Sequence, residues 1–400
     1  MPGSGARRAA GRLAARALVR AMRAMPVAWR PRVAGLLPGT SARFGPPRRW
    51  LRHDRYVARH GGEWRVVVSR HTPERPDPRV LGARPLAFAR PFRAAMPDAG
   101  VLFVEGVRLG AQSWLVGKDD CLLPDNSWFW GTRFPNAVGR CPVWRSTWPP
   151  RPQRIPGRCL SLVSDWADTN YFHFVVEGLG RFALAEAAGI GFDDVDAVYV
   201  PALRTPVTRW LLERLGVPAA KVVTTDEHPV IECEALVAPS FPGYADCPPP
   251  WLIDDLRRRL GPSAGPPARR LYVSRGAGRR RILNEDALVA ALGRRGFEVL
   301  EPGGSPEDLV RFAEARTVVG GHGAGLTNTL FCRAGTPLLE LMPPQYPFPA
   351  VYTLAHGAGL RYACVVGRPP SDRGPRGEPR LADYLVDVDE VERALDAIEA

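Results

Sequence analysis

Lysine is nearly missing from this chain: Lys118 and Lys221 stand alone among 54 basic residues. The arginine load is thus partly a compositional habit, and the formal net charge of +13 says little about a polyanionic partner. Acidic residues are missing altogether from residues 1–53, which carry twelve arginines. Without those twelve, 42 basic residues remain against 41 acidic ones, so the body is nearly neutral and no nucleic-acid partner is expected. Paired cysteines are missing too. Cys121, Cys141, Cys159, Cys233, Cys247, Cys332 and Cys364 are odd in number and never spaced as C-x-x-C, which supports neither a zinc site nor a disulfide framework. No apolar run reaches the ~20 residues of a spanning helix, and residues 7–25 lack the unbroken apolar core of a secretory signal. A cytoplasmic, reducing setting is the expectation.

What is present is an ordinary globular composition, 45% hydrophobic and 24% charged over 400 residues, enough chain for two cores. The layout expected is a basic arm at 1–53, a domain at 54–246, a proline- and glycine-rich linker with a short helix at 247–268, and a second domain with a C-terminal helix at 269–400. Within the arm, Arg8, Arg12, Arg16 and Arg20 recur every fourth residue and form one basic helical stripe. Residues 6–25 would suit an anionic membrane surface, with peripheral attachment at the cytoplasmic face. A solvated basic tail and an organellar transit peptide fit the same composition.

From Gly100 to Phe129, short apolar runs broken by turn signals such as Gly117-Lys118-Asp119-Asp120 predict strands and hairpins. Arg133 to Pro156 reads as a long irregular connection. Strand and helix then alternate, with strands at Ser161–Val163 and Ala197–Val200 around helical periodicity at Tyr171–Ala188, which predicts an α/β domain. Past the linker the alternation is regular: strands at 271–274, 297–300 and 317–319, helices at 284–295 and 306–315. Asn284, and Ser305-Pro306-Glu307-Asp308, supply the expected caps.

The strand Thr317-Val318-Val319 runs into Gly320-Gly321-His322-Gly323-Ala324-Gly325 and then into helix-like Leu326–Cys332. Glycines in such a turn let the backbone approach a phosphate, whose charge meets free N–H groups and the helix dipole. Gly321, His322, Gly323, Ala324 and Gly325 are therefore the candidate phosphate cradle. Glu340, on the next strand and 19 residues past Gly321, is placed to accept ribose hydroxyls. The same spacing suits a dinucleotide fold and an NAD(P)-dependent oxidoreductase. Only sixty residues follow Glu340, which favours a mononucleotide at the end of a domain.

Leu271-Tyr272-Val273-Ser274-Arg275, Arg281-Ile282-Leu283-Asn284-Glu285, the segment Gly320 to Asn328 and Leu339-Glu340-Leu341-Met342-Pro343 together resemble the family 61 glycosyltransferases in order and spacing. Upstream, Asn170-Tyr171-Phe172-His173-Phe174-Val175-Val176-Glu177 resembles that family's Asn-Tyr-x-His-x-x-x-Asp segment. Glu177 stands where the family usually has aspartate and Gly180 where proline is common, while Arg181 fits. The resemblance implies an α/β, GT-B-like fold of two Rossmann-like domains facing a cleft, with β-rich N-terminal additions. It also implies inverting transfer from a nucleotide sugar to a glycan or lipid-linked acceptor, with no metal or cofactor required, in surface polysaccharide synthesis. A catalytically silent sugar-binding protein is the alternative outside enzymology.

In this reading Arg275 forks onto the donor diphosphate, while Arg279 and Arg281, in a run of three arginines, are weaker candidates. His322 would donate to a phosphate or the departing oxygen, and Asn328 is a lesser ligand contact. Inverting transfer needs a base for the acceptor hydroxyl. Glu177 and His173, four residues earlier, are both candidates; Glu177 is the expected base, with His173 orienting it or the acceptor, and Asp165 and Asp168 are spare candidates. Two Asp-x-Asp matches exist. Asp194-Val195-Asp196 precedes its strand, the wrong side for a metal, and Asp387-Val388-Asp389 reads more simply as a helix cap.

Overall fold

The computed structural model describes residues 49–89, 91–126, 152–243, 247–276, 278–370 and 378–400, together with single positions at 17, 20, 21, 24, 25, 47 and 143. The arginine stripe at 6–25 and most of the connection expected at 133–156 fall outside these residues but for those positions and the strand end from 152 onward. Among the described residues no helix is long and apolar enough to cross a membrane. The described cysteines are buried and unbridged. The chain divides into two compact units: Met1–His71, Met96–Leu203 and Gly216–Ala245 form the first, and Thr72–Ala95, Arg204–Leu215 and Asp246–Ala400 the second. Both are mixed α/β.

The first unit holds a nine-stranded mixed sheet. β1 (Arg49–Trp50) precedes helix α1 (His53–His60), and β2 (Glu63–Val68) lies antiparallel to a later strand. After the excursion of 72–95 into the second unit, where β3 (Arg79–Val80) forms, the chain returns as β4 (Ala99–Gly110), β5 (Leu115–Gly117) and β6 (Cys121–Leu123), antiparallel neighbours. The turn read at Lys118-Asp119-Asp120 is there, with Asp119 and Asp120 at φ 56° and 53°, a left-handed conformation that aspartate tolerates. β7 (Gln153–Ser161), β8 (Ala197–Val200), β9 (Val222–Thr224) and β10 (Val230–Pro239) follow, with order β10-β7-β8-β9, all parallel. β7 steps to β8 and β9 on one side, and the chain then crosses to place β10 on the other. The order of strands reverses at the β7/β10 pair, and β10 also pairs antiparallel with β4. Leu102, Leu109, Leu115, Cys159, Tyr199, Ile231 and Leu236 fill the core beneath this sheet.

Between β7 and β8 the helical periodicity at 171–188 resolves into two pieces. His173–Leu179 is wound with π-helical bonding, marked by Gly180 N–H donating to the Val175 carbonyl at 3.3 Å, and α2 (Arg181–Ala187) continues as an α-helix. A Cβ on Gly178 would stand 3.1 Å from the Leu162 carbonyl, so glycine lets the wide turn lie close on the strand end. π-Turns are rare and concentrate at functional sites.

The second unit is a parallel six-stranded sheet, whose later strands are β11 (Arg269–Val273), β12 (Glu298–Leu300), β13 (Ala315–Gly321), β14 (Pro337–Met342) and β15 (Arg361–Val366) in the order β12-β11-β13-β14-β15-β3. Omitting β3, this is the doubly wound order 2-1-3-4-5, with its reversal between β11 and β13. Ligands of open α/β sheets bind outside the carboxyl ends of the strands at such a reversal. Helices α3 (Pro206–Arg214) and α4 (Pro250–Leu260), then α5 (Glu285–Arg294), α6 (Pro306–Ala313), α7 (Ala350–Gly357) and α8 (Val388–Glu399), complete the unit. Ser305 caps α6 by accepting from Glu307 N–H, and Asp387 caps α8 by accepting from Glu390 N–H at 2.9 Å. Asn284 sits at the start of α5 but makes no cap bond: its amide donates to the Val386 carbonyl at 2.8 Å and accepts from Val386 N–H at 3.1 Å, fastening the C-terminal segment. Just before α8 the chain makes isolated bridges, Tyr384 with Ile282 and Leu385 with Arg368.

Candidate active site

In the first unit the candidate residues gather past the carboxyl end of β7. His173 and Glu177 are 7% and 2% exposed, so the pair is not a surface feature. His173 Nδ1–H donates to Glu177 Oε2 at 2.6 Å, and Ser164 Oγ–H donates to the same oxygen at 3.2 Å. Glu177 Oε1 is buried with no hydrogen-bond partner in the protein. Burial raises the Glu177 carboxyl above its ordinary value, the His173 ring opposes this, and Asp165 adds to it. Asp168 is occupied structurally, its Oδ1 accepting from Ala202 N–H at 2.9 Å and Thr225 Oγ–H at 2.6 Å. Ser164 and Trp166 are residues here that the sequence did not single out for a role, and Trp166 is the one in an uncommon conformation. It holds φ at 61° and stays 38% exposed, its ring centroid 5.3 Å from that of His173. A left-handed tryptophan persists only where its surroundings impose it.

In the second unit Arg275 leaves the end of β11 and the glycine turn leaves the end of β13, with Val273 and Gly320 in register. Arg275 lies against the turn, since a Cβ on Gly321 would stand 2.9 Å from its Cγ and one on Gly323 would stand 1.8 Å from its Nη1. Its Nε and Nη2 donate to the Arg279 carbonyl at 3.2 and 2.7 Å. Ala324 and Gly325 open a 3₁₀ segment, Ala324–Phe331, in place of the α-helix expected after the turn. Its first amides are those that a helical start leaves without internal acceptors. Asn328 is buried within this segment.

His322 and Glu340 form a second histidine–carboxylate pair, His322 Nδ1–H donating to Glu340 Oε1 at 2.6 Å. The Tyr362 hydroxyl donates to Glu340 Oε2 at 2.6 Å, and burial pushes that phenol up, so it remains a donor. Glu340 is 0% exposed and has a partner on each oxygen. Arg281 pairs with Asp383 at 2.7 Å and Arg279 is exposed, whereas Arg280 turns inward. Asp387 is taken by its cap, and among the described residues no group of three or more His, Cys, Asp or Glu is arranged to hold a metal ion.

The glycines separate fold from ligand contact. Gly320→Ala is expected to destabilise the second unit by about 1–3 kcal/mol, because its Cβ would meet Leu326 Cδ2 at 2.8 Å and Val273 Cβ at 3.0 Å in the core. Gly323→Ala meets only the mobile end of Arg275, so its melting temperature should stay within a degree or so while phosphate affinity falls roughly tenfold as the guanidinium is displaced. Thermal melts and pyrophosphate titration of both variants check this contrast.

No curated protein sequence matches the chain. Residues 171–339 match the model of a protein family described as Glycosyltransferase 61. The matched segment starts beside His173 and ends at the residue before Glu340.

Proposed function

We infer that this chain, a member of glycosyltransferase family 61, moves a sugar from a nucleotide-sugar donor to the hydroxyl of a glycan or lipid-linked acceptor, with inversion and without a required metal. The observation that carries the reading is the position of Arg275 and the Gly321–Gly325 turn at the ends of two adjacent parallel strands, where the strand order reverses. The donor's diphosphate lies on that turn. Its charge meets the amides of Gly323, Ala324 and Gly325 and the Arg275 guanidinium, and His322, held by Glu340, donates to a phosphate oxygen. Asn328 lies one turn further along and lines the donor side.

In the transfer step the acceptor O–H gives its proton to Glu177 Oε1 as its oxygen attacks the anomeric carbon. The bond from that carbon to the diphosphate oxygen breaks, and the nucleoside diphosphate leaves with the electron pair. His173 and Ser164 hold the other carboxylate oxygen, so only Oε1 accepts the proton. Two α/β units, one for each substrate, are what a GT-B enzyme would use. The arginine stripe at 6–25 would keep the enzyme at an anionic membrane surface on its cytoplasmic face, where a lipid-linked acceptor for surface polysaccharide is met.

A thermal-shift panel tests this function. One nucleoside diphosphate and its sugar conjugate should stabilise the protein, by about 2.7 kcal/mol at a hundredfold excess over Kd, and the shift and turnover should persist in EDTA. Stabilisation by NAD(P) alone, or by nothing in the panel, would overturn the reading.

A further inference from the structure

Arg280 stands apart from the ion-paired arginines of the second unit. Arg269, Arg270, Arg281 and Arg295 each have a carboxylate within ion-pair distance. Among the described residues, Arg275 and Arg280, like Arg75 and Arg257, have none, and they alone of these four lie beside the glycine turn or the Tyr346–His322 rings next to it. Arg280 nevertheless points inward: its Nη1 donates to the Arg380 carbonyl at 2.9 Å, and its guanidinium stands 5.4 Å from the Tyr346 ring centroid. That ring is in turn 5.9 Å from the ring of His322, edge to face. Arg280 Nε is buried with no hydrogen-bond partner. The residue holds this pose with φ at 57°, a left-handed conformation costing an L side chain about 1–2 kcal/mol.

The unpaired charge and the orphaned N–H are unfavourable without a ligand. Two guanidiniums brought to one turn repel each other, and an orphaned buried N–H costs about as much as a lost hydrogen bond. Burial lowers both arginines below their usual value, with Arg275 adding to the lowering at Arg280. A dianionic group between them answers the repulsion and the orphaned N–H, since it supplies negative charge, an acceptor for Nε and a partner for the fork. Arginine meets phosphate oxygens in this way, presenting planar donors in pairs.

We propose that Arg280 is a second diphosphate-binding residue, closing with Arg275 a two-guanidinium clamp over the Gly321–Gly323 turn. This rests on the reading of the turn as the donor-diphosphate site. Arg275 holds the phosphate lying on the glycines and Arg280 the one nearer Tyr346. The fork at Arg280 binds the leaving diphosphate in both ground and product states.

Inorganic pyrophosphate is the probe, titrated calorimetrically into the full chain. Wild type should bind it; Arg280→Ala should weaken binding at least tenfold and Arg280→Lys by several-fold, since lysine keeps the charge and loses the fork. Arg281→Ala, which removes a group paired with Asp383, should bind as wild type does. Arg280→Lys also keeps the test open should the alanine variant fold poorly. Wild-type affinity in both Arg280 variants, alongside a loss in Arg275→Ala, would overturn the clamp and leave the diphosphate site standing. Absence of any pyrophosphate binding by wild type would instead overturn the site and the clamp together.

Discussion

Glu177→Gln should lower turnover by roughly 10²–10⁴-fold while nucleoside-diphosphate binding stays at its wild-type strength. The amide has nearly the shape of the carboxylate, and one oxygen can still accept from His173 and Ser164. What it cannot do is take a proton. A role in folding predicts the opposite pattern. Burial raises the Glu177 carboxyl in the folded chain above its unfolded value, so the ionised form costs stability above the folded pKa and that cost fades as pH falls through it. Glutamine carries no such cost, and the variant should melt at or above the wild-type temperature at neutral pH. Turnover near wild type would remove Glu177 as the base, and a lower melting temperature would make its role structural.

The same shift sets a pH dependence. Only ionised Glu177 accepts the proton, so the rate should fall as pH drops through its raised pKa, at a pH above the ~4.3 of a solvated glutamate. Glu177→Asp restores the residue type usual in the family but withdraws the carboxylate by one methylene. With His173 and Ser164 reaching a shorter side chain, its acid limb should move along with its rate.

Each unit presents a histidine–carboxylate pair bonded Nδ1 to Oε at 2.6 Å, its histidine past the carboxyl end of a strand at which strand order reverses. The environments divide the labour. Glu177 keeps one oxygen without a partner, suited to accepting a proton, whereas Glu340 has both oxygens bonded and serves to hold His322. Similar pairs thus suit different chemistry because of what surrounds the second oxygen.

Local chemistry made much of this legible in the sequence. Ala197–Val200, an apolar run between turn signals, is a strand with those bounds; Ser305 and Asp387 cap by accepting from amides two and three residues further on. The glycine turn was visible because strand, glycines and helical segment are contiguous. What stayed hidden depends on partners distant in the chain. Asn284 looked like a cap, but the Val386 backbone offers it two bonds at once. The tie between Glu340 and Tyr362 spans 22 residues and two strands. Val230–Pro239 pairs antiparallel on one side and parallel on the other, so its exposure follows neither a clean alternation nor an unbroken apolar run. Thr72–Ala95 joins the second unit through β3, a strand of two residues with no periodicity to read. Within Arg279-Arg280-Arg281 the three side chains are chemically identical, and only the fold decides that one meets Asp383 and one turns inward.

Arg181→Met should cost about 3–5 kcal/mol of stability, a large part of the roughly 5–15 kcal/mol a typical domain has. Arg181 is 0% exposed, and its guanidinium donates to three carbonyls: Glu177 at 3.2 Å, Pro239 at 2.6 Å and Asn126 at 2.7 Å, with the Ser113 hydroxyl at 3.2 Å as a further acceptor. Burial pushes its pKa down to about 10, so it stays charged at neutral pH, and the nearby Asp165 and Glu177 favour that charge. Replacing a buried ion by an apolar side chain can be neutral when its partners are replaced too. Here the partners are backbone carbonyls, which no substitution removes; methionine would take this donor from the Glu177 and Pro239 carbonyls at about 1–3 kcal/mol each, while the Asn126 carbonyl keeps its bond from Ser113 Oγ–H at 2.8 Å. A urea midpoint unchanged in Arg181→Met would show that water or a rearranged neighbour satisfies them. Arg181→Lys should recover part of the stability, because an ammonium donates but cannot span the end of β10, Asn126 and the π-turn together. Since the lost reach includes the Glu177 carbonyl, that variant should also lose turnover beyond its loss of stability, with donor affinity unchanged.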